Sequence, residues 1–346
     1  MQETARIAKK LAALEALGLE RVDVSPTTSE AVRVDRKTHK VTSSRPAMGT
    51  LVSISALARS QERLEEAIGR GFEEMDRLIG VFSRFDGSSA VTHLNDTGRL
   101  DDAPPEFSRV VAHSLDYHGL SRGAFDITVE PVVDLFRVSL EGEVPKQPTE
   151  SEILEALQLV GSRHIALSER GVSFAQSGMG ITLDGIAKGY IVDAIARVLV
   201  DHKVKSYLIN AGGDIRAAGG KEQGRPWTVA VQDPSRGARF PDTIHLTDGA
   251  VATSGSYEIY FDRDKLFHHI VNSKTGRSPH LSTSVSVIAP STMAADALAT
   301  GVFVMDPGEG IALIDALPSC ECLIIDRDGL QLKSRGWNSA APTRGE

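Results

Sequence analysis

The fold is decided around one stretch of the sequence, Thr182-Leu183-Asp184-Gly185-Ile186-Ala187-Lys188-Gly189-Tyr190. Before Asp184, apolar residues alternate with Thr182, which predicts the end of a half-buried strand. After Gly185, apolar side chains recur at helical spacing as far as Val198, which predicts a helix with one buried face. Asp184 is the predicted N-cap, so the stretch is predicted to be a strand-to-helix junction.

The same junction carries the residue types of a phosphate site. Gly185 and Gly189 leave room for a ligand to approach the backbone. Lys188 lies in the first predicted turn, where the helix dipole disfavours a cation unless an anion joins it. Free N–H groups, glycines and a lysine together indicate a phosphate site. The alternative is an ordinary junction with a solvated lysine.

The composition is typical of a soluble globular protein. Of the 346 residues, 41% are hydrophobic and 24% are charged, and the formal net charge is −8. This acidic balance argues against a nucleic-acid protein dominated by phosphate contacts. No run of 18 apolar residues occurs, so no membrane span is predicted.

Three regions are predicted along the chain. Residues 1–42 form an N-terminal extension, helical and then polar, residues 43–335 form the main domain, and residues 336–346 form a flexible tail. The extension lacks the apolar core of a signal peptide, so the chain is expected to be either cytoplasmic as written or a sequence from which an export segment is missing. Helical and strand patterns are both found in the main domain, which predicts a mixed α/β (α+β) fold.

Two oxygen-bearing side chains share a face of a helix predicted over 292–305. Asp296 and Thr300 are four residues apart, so they project from the same side. A carboxylate and a hydroxyl are hard oxygen ligands and suit Mg²⁺. The alternative is an exposed aspartate and a threonine bonded back to its own helix.

Other polar residues leave two interpretations open. His268 and His269 are adjacent on a predicted strand, so at most one of them readily faces a given site, as a general base or acid. The other interpretation is that each packs in the sheet. The sequence Gly212-Gly213-Asp214 is either a phosphate-approach loop or a plain turn. Asp126 and Glu130 either bind a hydroxylated ligand or flank a loop.

Taken together and in order, the motifs of this chain resemble the ApbE family of FAD:protein FMN transferases over residues 44–332. The matching motifs are Pro46-Ala47-Met48-Gly49-Thr50, Gly123-Ala124-Phe125-Asp126-Ile127-Thr128, Asp184-Gly185-Ile186-Ala187-Lys188-Gly189-Tyr190, Asn210-Ala211-Gly212-Gly213-Asp214, Thr253-Ser254-Gly255, His268-His269-Ile270, Lys274-Thr275-Gly276 and Ala295-Asp296-Ala297-Leu298-Ala299-Thr300.

The resemblance implies an activity, a fold and partners. Members bind FAD and Mg²⁺, split the pyrophosphate, place FMN on a serine or threonine of an acceptor protein and release AMP. The acceptors are typically redox subunits with a short Ser/Thr flavinylation motif. The implied fold has two lobes, with largely antiparallel sheets flanked by helices. The alternatives are a Mg²⁺-dependent FAD pyrophosphatase, with water as the acceptor, and a non-catalytic FAD carrier.

The resemblance also implies a role for individual residues. Mg²⁺ would be held by the Gly185 carbonyl, Asp296 and Thr300. His269 and Lys188 would be catalytic. FAD would be contacted by Met48, Phe85, Ala124, Phe125, Asp126, Thr182, Lys188, Ile270, Gly213, Asp214 and Ser254.

Two features depart from the family pattern. Members commonly carry a carboxylate where this chain has Thr182, and here the acidic residue is Asp184. A contact expected from a carboxylate at position 182 is therefore in question. Many members are also exported, often with a lipid anchor, whereas a signal and a lipobox are not recognisable in this sequence.

Overall fold

The computed structural model describes residues 27–141, 146–234, 240–256 and 270–337. In this part of the chain there are eight α-helices: α1 (Gln61–Phe82), α2 (Ala90–Thr97), α3 (Pro105–Leu120), α4 (Glu130–Glu141), α5 (Glu150–Leu157), α6 (Ala187–Asp201), α7 (Thr292–Val304) and α8 (Pro307–Asp315).

The strands of the described ranges form one large sheet and two small ones. The strands are β1 (Thr28–Arg33), β2 (His39–Ala47), β3 (Thr50–Ala58), β4 (Arg99–Asp101), β5 (Ile165–Ser168), β6 (Gly171–Phe174), β7 (Ser206–Ala211), β8 (Asp214–Ala218), β9 (Trp227–Ala230), β10 (Thr243–Leu246), β11 (Asp248–Gly255), β12 (Ser282–Ala289), β13 (Glu321–Asp326) and β14 (Gln331–Lys333). The large sheet has nine strands in the order β1-β2-β3-β7-β8-β11-β12-β13-β14. All its pairs are antiparallel. The predicted mixed fold with largely antiparallel sheets is thus confirmed.

The main core lies where α1 and α6 pack against the β2–β3–β7 part of the sheet. In β3, Val52, Ile54 and Ala56 are fully buried, as the alternation of side chains along a strand requires. Helix α1 begins at the N-cap Ser60, whose hydroxyl accepts the backbone N–H of Arg63. It buries one apolar stripe, which includes Leu64, Ile68 and Met75.

Two tight hairpin turns lie side by side at one end of the large sheet. Met48 and Gly49 connect β2 to β3, and Gly212 and Gly213 connect β7 to β8. All four residues have positive φ, which is typical of two-residue hairpin turns that match the twist of the strands. A Cβ on Gly212 would lie 2.4 Å from the hydroxyl oxygen of Thr50, so the turns are in close contact.

Helix α7 packs against both the large sheet and α6. It is buried on almost every side, and it packs against β11, β12 and α6. A helix that is apolar all round belongs in the interior of a protein. Its few polar residues therefore face other protein groups or the cleft described below. None of the helices in the described ranges is at once long and apolar enough to cross a membrane.

The predicted strand before the central helix is wrong. Residues 179–183 have no strand partner. The Asn95 side chain bonds both the N–H and the carbonyl of Ile181, at 2.8 and 2.9 Å, and the Thr182 N–H donates to the Ile127 carbonyl. Asp184 is not the N-cap either. Ile186 takes that position without a side-chain hydrogen bond.

Residues on both sides of the predicted domain bounds take part in the fold. Residues 28–42, expected in an extension, carry β1 and the start of β2, and these strands form one edge of the large sheet. The side chains of β1 are exposed and mostly polar, like those of a linker, because an edge strand buries little. Trp337, expected in the flexible tail, is buried, and its ring N–H donates to Asp242. Residues 1–26 and 338–346 lie outside the described ranges.

Candidate active-site cleft

A cleft with about 760 Å³ of open space lies at the N-terminal end of α6. Its walls come from α7, from residues 124–133, and from the ends of β8 and β11. Most residues predicted from the sequence line it: Ala124, Phe125, Asp126, Thr182, Gly185, Lys188, Asp214, Ser254, Ile270, Asp296 and Thr300. Segments far apart in the chain therefore meet in one place.

Three predicted residues of the described ranges are not among those that line the cleft. Met48 and Gly213 lie in the two hairpin turns, and the Met48 side chain packs against the main core. Phe85 follows α1 and is 79% exposed. His269, together with His268, lies outside the described residues, and its predicted role as a base stays a prediction.

Lys188 is paired with an aspartate of its own chain. Its ammonium nitrogen lies 3.2 Å from Oδ2 of Asp214, which is 2% exposed at the start of β8. Burial raises the pKa of Asp214, and the charge of Lys188 opposes that rise. A cation in the first turn of a helix is favoured when an anion lies beside it, and Asp214 is that anion. Lys188 and Asp214 both line the cleft.

Helix α7, which carries Asp296 and Thr300, contacts the backbone at the N-terminal end of α6. The Gly189 N–H donates to Oδ2 of Asp296 at 3.0 Å. A Cβ on Gly189 would lie 2.5 Å from the Thr292 carbonyl oxygen, and one on Gly185 would lie 2.9 Å from the Thr300 hydroxyl oxygen. Only glycine permits these approaches. Asp296 and Thr300 are therefore brought next to the backbone of the α6 N-terminus.

Asp126 is a buried carboxylate surrounded by donors. It accepts hydrogen bonds from the backbone N–H and the hydroxyl of Thr128, at 2.9 and 2.6 Å, and from the hydroxyl of Ser162 at 2.8 Å. Nδ1 of His118 lies 3.2 Å from its other oxygen. Burial opposes ionisation, but these bonds hold the pKa of Asp126 below its usual value, and the same contact raises the pKa of His118.

Arg84 joins two carboxylates beside the cleft. Its guanidinium lies 3.0 Å from Glu130 and 3.1 Å from Asp184, and it covers the Phe85 ring at 4.7 Å from the ring centre. Burial raises the pKa of Glu130 to about 7, although the charge of Arg84 opposes this effect. The displaced acidic residue, Asp184, thus binds an arginine and does not cap the helix.

The sequence interpretation missed Arg84 and His118. Arg84 lies 46 residues before Glu130, and no local spacing marks either residue. The cleft that results combines one lysine, the carboxylate of Asp296 on α7, the hydroxyl of Thr300 and the backbone of Gly185, and three further aspartates line it: Asp126, Asp184 and Asp214. These groups are suited to holding a cation and the oxygens of a phosphate.

Comparison with known proteins identifies a family and its solved structures. The sequence model of the ApbE family matches residues 48–324. The FAD:protein FMN transferase of Vibrio cholerae serotype O1 is 30% identical over 301 residues, which cover 85% of this chain and 90% of that protein. The FAD:protein FMN transferase of Haemophilus influenzae is 29% identical over 309 residues, which cover 85% of this chain and 88% of that protein.

Two solved structures have the same fold. The ApbE protein from Thermotoga maritima superposes with a TM-score of 0.79 at 29% identity, covering 91% of this chain and 100% of that one. The flavin transferase ApbE from Vibrio cholerae superposes with a TM-score of 0.75 at 27% identity, covering 91% of this chain and 99% of that one.

Proposed function

Because the chain belongs to the ApbE family, we propose that its cleft is the active site of an FAD:protein FMN transferase. The enzyme moves FMN from FAD to an acceptor protein. One observation from the structure supports this function: residues from six of the family motifs, scattered between residues 124 and 300, line a single cleft at the N-terminus of α6. The cleft contains groups that suit a pyrophosphate.

The side chains present fit a magnesium ion. Asp296 and Thr300 are one turn apart on α7, both line the cleft, and Gly185 adjoins Thr300. Mg²⁺ usually takes one or two protein carboxylates and completes its shell with water and phosphate oxygens. Within the described ranges, no cluster of three or more His, Cys, Asp or Glu side chains could hold a metal. From the family motifs and this set of oxygen donors, we assign the Gly185 carbonyl, the Asp296 carboxylate and the Thr300 hydroxyl as Mg²⁺ ligands.

The chain's own residues divide the remaining work. When bound, Mg²⁺ would neutralise negative charge on the pyrophosphate and stabilise the charge that develops on the phosphate of the leaving AMP. Lys188 binds the same pyrophosphate from the α6 side, where the N-terminus of the helix also favours negative charge. Asp214 restrains the Lys188 side chain and keeps its ammonium group at the wall of the cleft.

The transfer forms one phosphoester bond and breaks one phosphoanhydride bond. The hydroxyl oxygen of an acceptor serine or threonine attacks the FMN phosphorus, the bond to the bridging oxygen breaks, and AMP leaves with the electron pair. The hydroxyl proton passes to a base, which we take to be His269. The acceptor is proposed to be a redox subunit with a Ser/Thr flavinylation motif.

The test is to incubate the purified chain with FAD, MgCl₂ and a carrier protein fused to a flavinylation-motif peptide. AMP release is followed by chromatography, and the carrier is weighed by mass spectrometry. We expect one AMP for each carrier that gains the mass of FMN less one water. AMP without a modified carrier would indicate the pyrophosphatase, and bound FAD without AMP would indicate the carrier. Either result would contradict the proposed transferase.

Two matched pairs of variants test the residue assignments. Asp296→Asn should lower the transfer rate by more than about 100-fold, since loss of a direct ligand should exceed the effect typical of outer partners. Asp248→Asn, an aspartate whose side chain is 76% exposed at the other end of β11, should change little. His269→Ala should lower the transfer rate and His268→Ala should not. Equal activity in either pair would refute that assignment.

A further inference from the structure

Helices α6 and α7 are joined by two carboxylate contacts that run in opposite directions. Asp296 on α7 accepts the backbone N–H of Gly189 in the first turn of α6. Asp193, one turn further along α6, accepts the backbone N–H groups of Thr292 and Met293 at the start of α7, at 3.0 and 2.9 Å. Each helix therefore holds the other through a carboxylate.

We propose that Asp193 is a positioning residue for the cation site. It fixes the first turn of α7 against α6 and so determines where Asp296 and Thr300 stand in the cleft. This inference rests on the proposed function, because it takes those two residues as the Mg²⁺ ligands. Asp193 itself is not among the residues that line the cleft, so it acts through the helix it holds.

The contact is more than an ordinary helix cap. Helix α7 already has its own N-cap, Ser291, whose hydroxyl accepts the Ala294 N–H at 3.2 Å. Ser291 satisfies a donor of its own helix, whereas Asp193 belongs to the neighbouring helix and ties the two together. A carboxylate at this end of α7 is also favoured by the helix dipole. The Asp193 bonds therefore restrain tertiary position as well as the helix end.

The position of the first turn of α7, which Asp193 holds, determines the positions of Asp296 and Thr300. Asp296 lies four residues after Thr292, about 6 Å along the helix, so a shift of the first turn moves the carboxylate with it. The helices touch through backbone at Gly189, where a Cβ would lie 2.5 Å from the Thr292 carbonyl oxygen. At this crossing no side chains lie between the two backbones, so none can rearrange to compensate for a shift of α7. Loss of the Asp193 contact should therefore displace Asp296 from Gly189.

The experiment compares Asp193→Ala with Ser291→Ala in the full chain loaded with FAD. Both variants remove partners of backbone N–H groups at the start of α7, but only the first releases α7 from α6. The readout is the dissociation constant of Mn²⁺, measured from the loss of the free-ion signal in electron paramagnetic resonance. We expect Asp193→Ala to weaken Mn²⁺ binding by about tenfold or more, and Ser291→Ala by less than about twofold.

Two further variants separate the possible outcomes. Asp193→Asn keeps the volume and one acceptor oxygen, so it should fold and should bind Mn²⁺ with an affinity between those of wild type and Asp193→Ala. If Asp296→Ala loses Mn²⁺ but both Asp193 variants match Ser291→Ala, the positioning role is refuted while the cation site stands. If Asp296→Ala binds Mn²⁺ like the wild type, the cation site of the proposed function fails, and the role of Asp193 fails with it.

Discussion

Replacing Glu130 by glutamine should stabilise the protein progressively, relative to wild type, as the pH rises from 5 to 8. Glu130 is 7% exposed and contacts Arg84 through both of its oxygens, at 3.0 and 3.3 Å. Its pKa is raised from 4.5 to about 7, chiefly by burial. The folded protein therefore holds this proton more tightly than the unfolded chain does.

The sign and size of the change in stability follow from the difference between the folded and unfolded pKa values of Glu130. A raised pKa contributes stability that is fully present below the unfolded pKa of 4.5 and is lost as the pH rises through the folded pKa of about 7. At about 1.4 kcal/mol for each pKa unit, the full interval corresponds to about 3 kcal/mol, of which about 2 to 3 kcal/mol falls between pH 5 and 8. Glutamine does not titrate and can still accept from Arg84, so the variant lacks this loss.

The assay is urea unfolding of both proteins at pH 5 and pH 8. The free energy of unfolding of Glu130→Gln minus that of wild type should increase by about 2 to 3 kcal/mol across this range, because other titrating groups cancel in the difference. Glu152→Gln is the control. Hydrogen bonds from Thr149 lower the pKa of Glu152 below 4.5, so its contribution to stability is already present above that pH, and its difference should stay nearly constant from pH 5 to pH 8. Parallel pH profiles for Glu130→Gln and wild type would refute the argument.

Three further predictions concern contacts around the cleft. Gly189→Ala places a Cβ 2.5 Å from the carbonyl oxygen of the first residue of α7 and should destabilise the fold by about 1 to 3 kcal/mol in urea unfolding; an unchanged midpoint would contradict the close crossing. Asn95→Ala removes both hydrogen bonds to the Ile181 backbone and should cost about 1 to 3 kcal/mol in the same assay, whereas a change below about 0.5 kcal/mol would show that water replaces the side chain. His118, whose pKa is raised by its bond to Asp126, contributes stability below pH 6.5 that is lost as the pH rises through its folded pKa. In His118→Gln this loss should be absent from the pH profile of thermal unfolding, and a profile equal to that of wild type would exclude the pair.

The sequence was sufficient to predict α6 and α7, because the signals of a helix are local. Helix α1 shows its apolar stripe at helical spacing, and the two faces of a strand such as β3 alternate in the sequence itself. The strand predicted before α6 is wrong because alternation alone does not reveal what satisfies the backbone. There, the side chain of Asn95 and the carbonyl of Ile127 take the place of a neighbouring strand.

By itself, the sequence determined the residue types of the cleft and their order along the chain, since glycines, a first-turn lysine and a carboxylate–hydroxyl pair are visible as motifs. Only the tertiary structure decided how they are paired. Lys188 meets Asp214 and Asp193 meets the start of α7, because the sheet and two crossing helices bring these distant segments together. The physical reason is that burial and charge pairing act between neighbours in space, and local spacing does not record which residues those neighbours are.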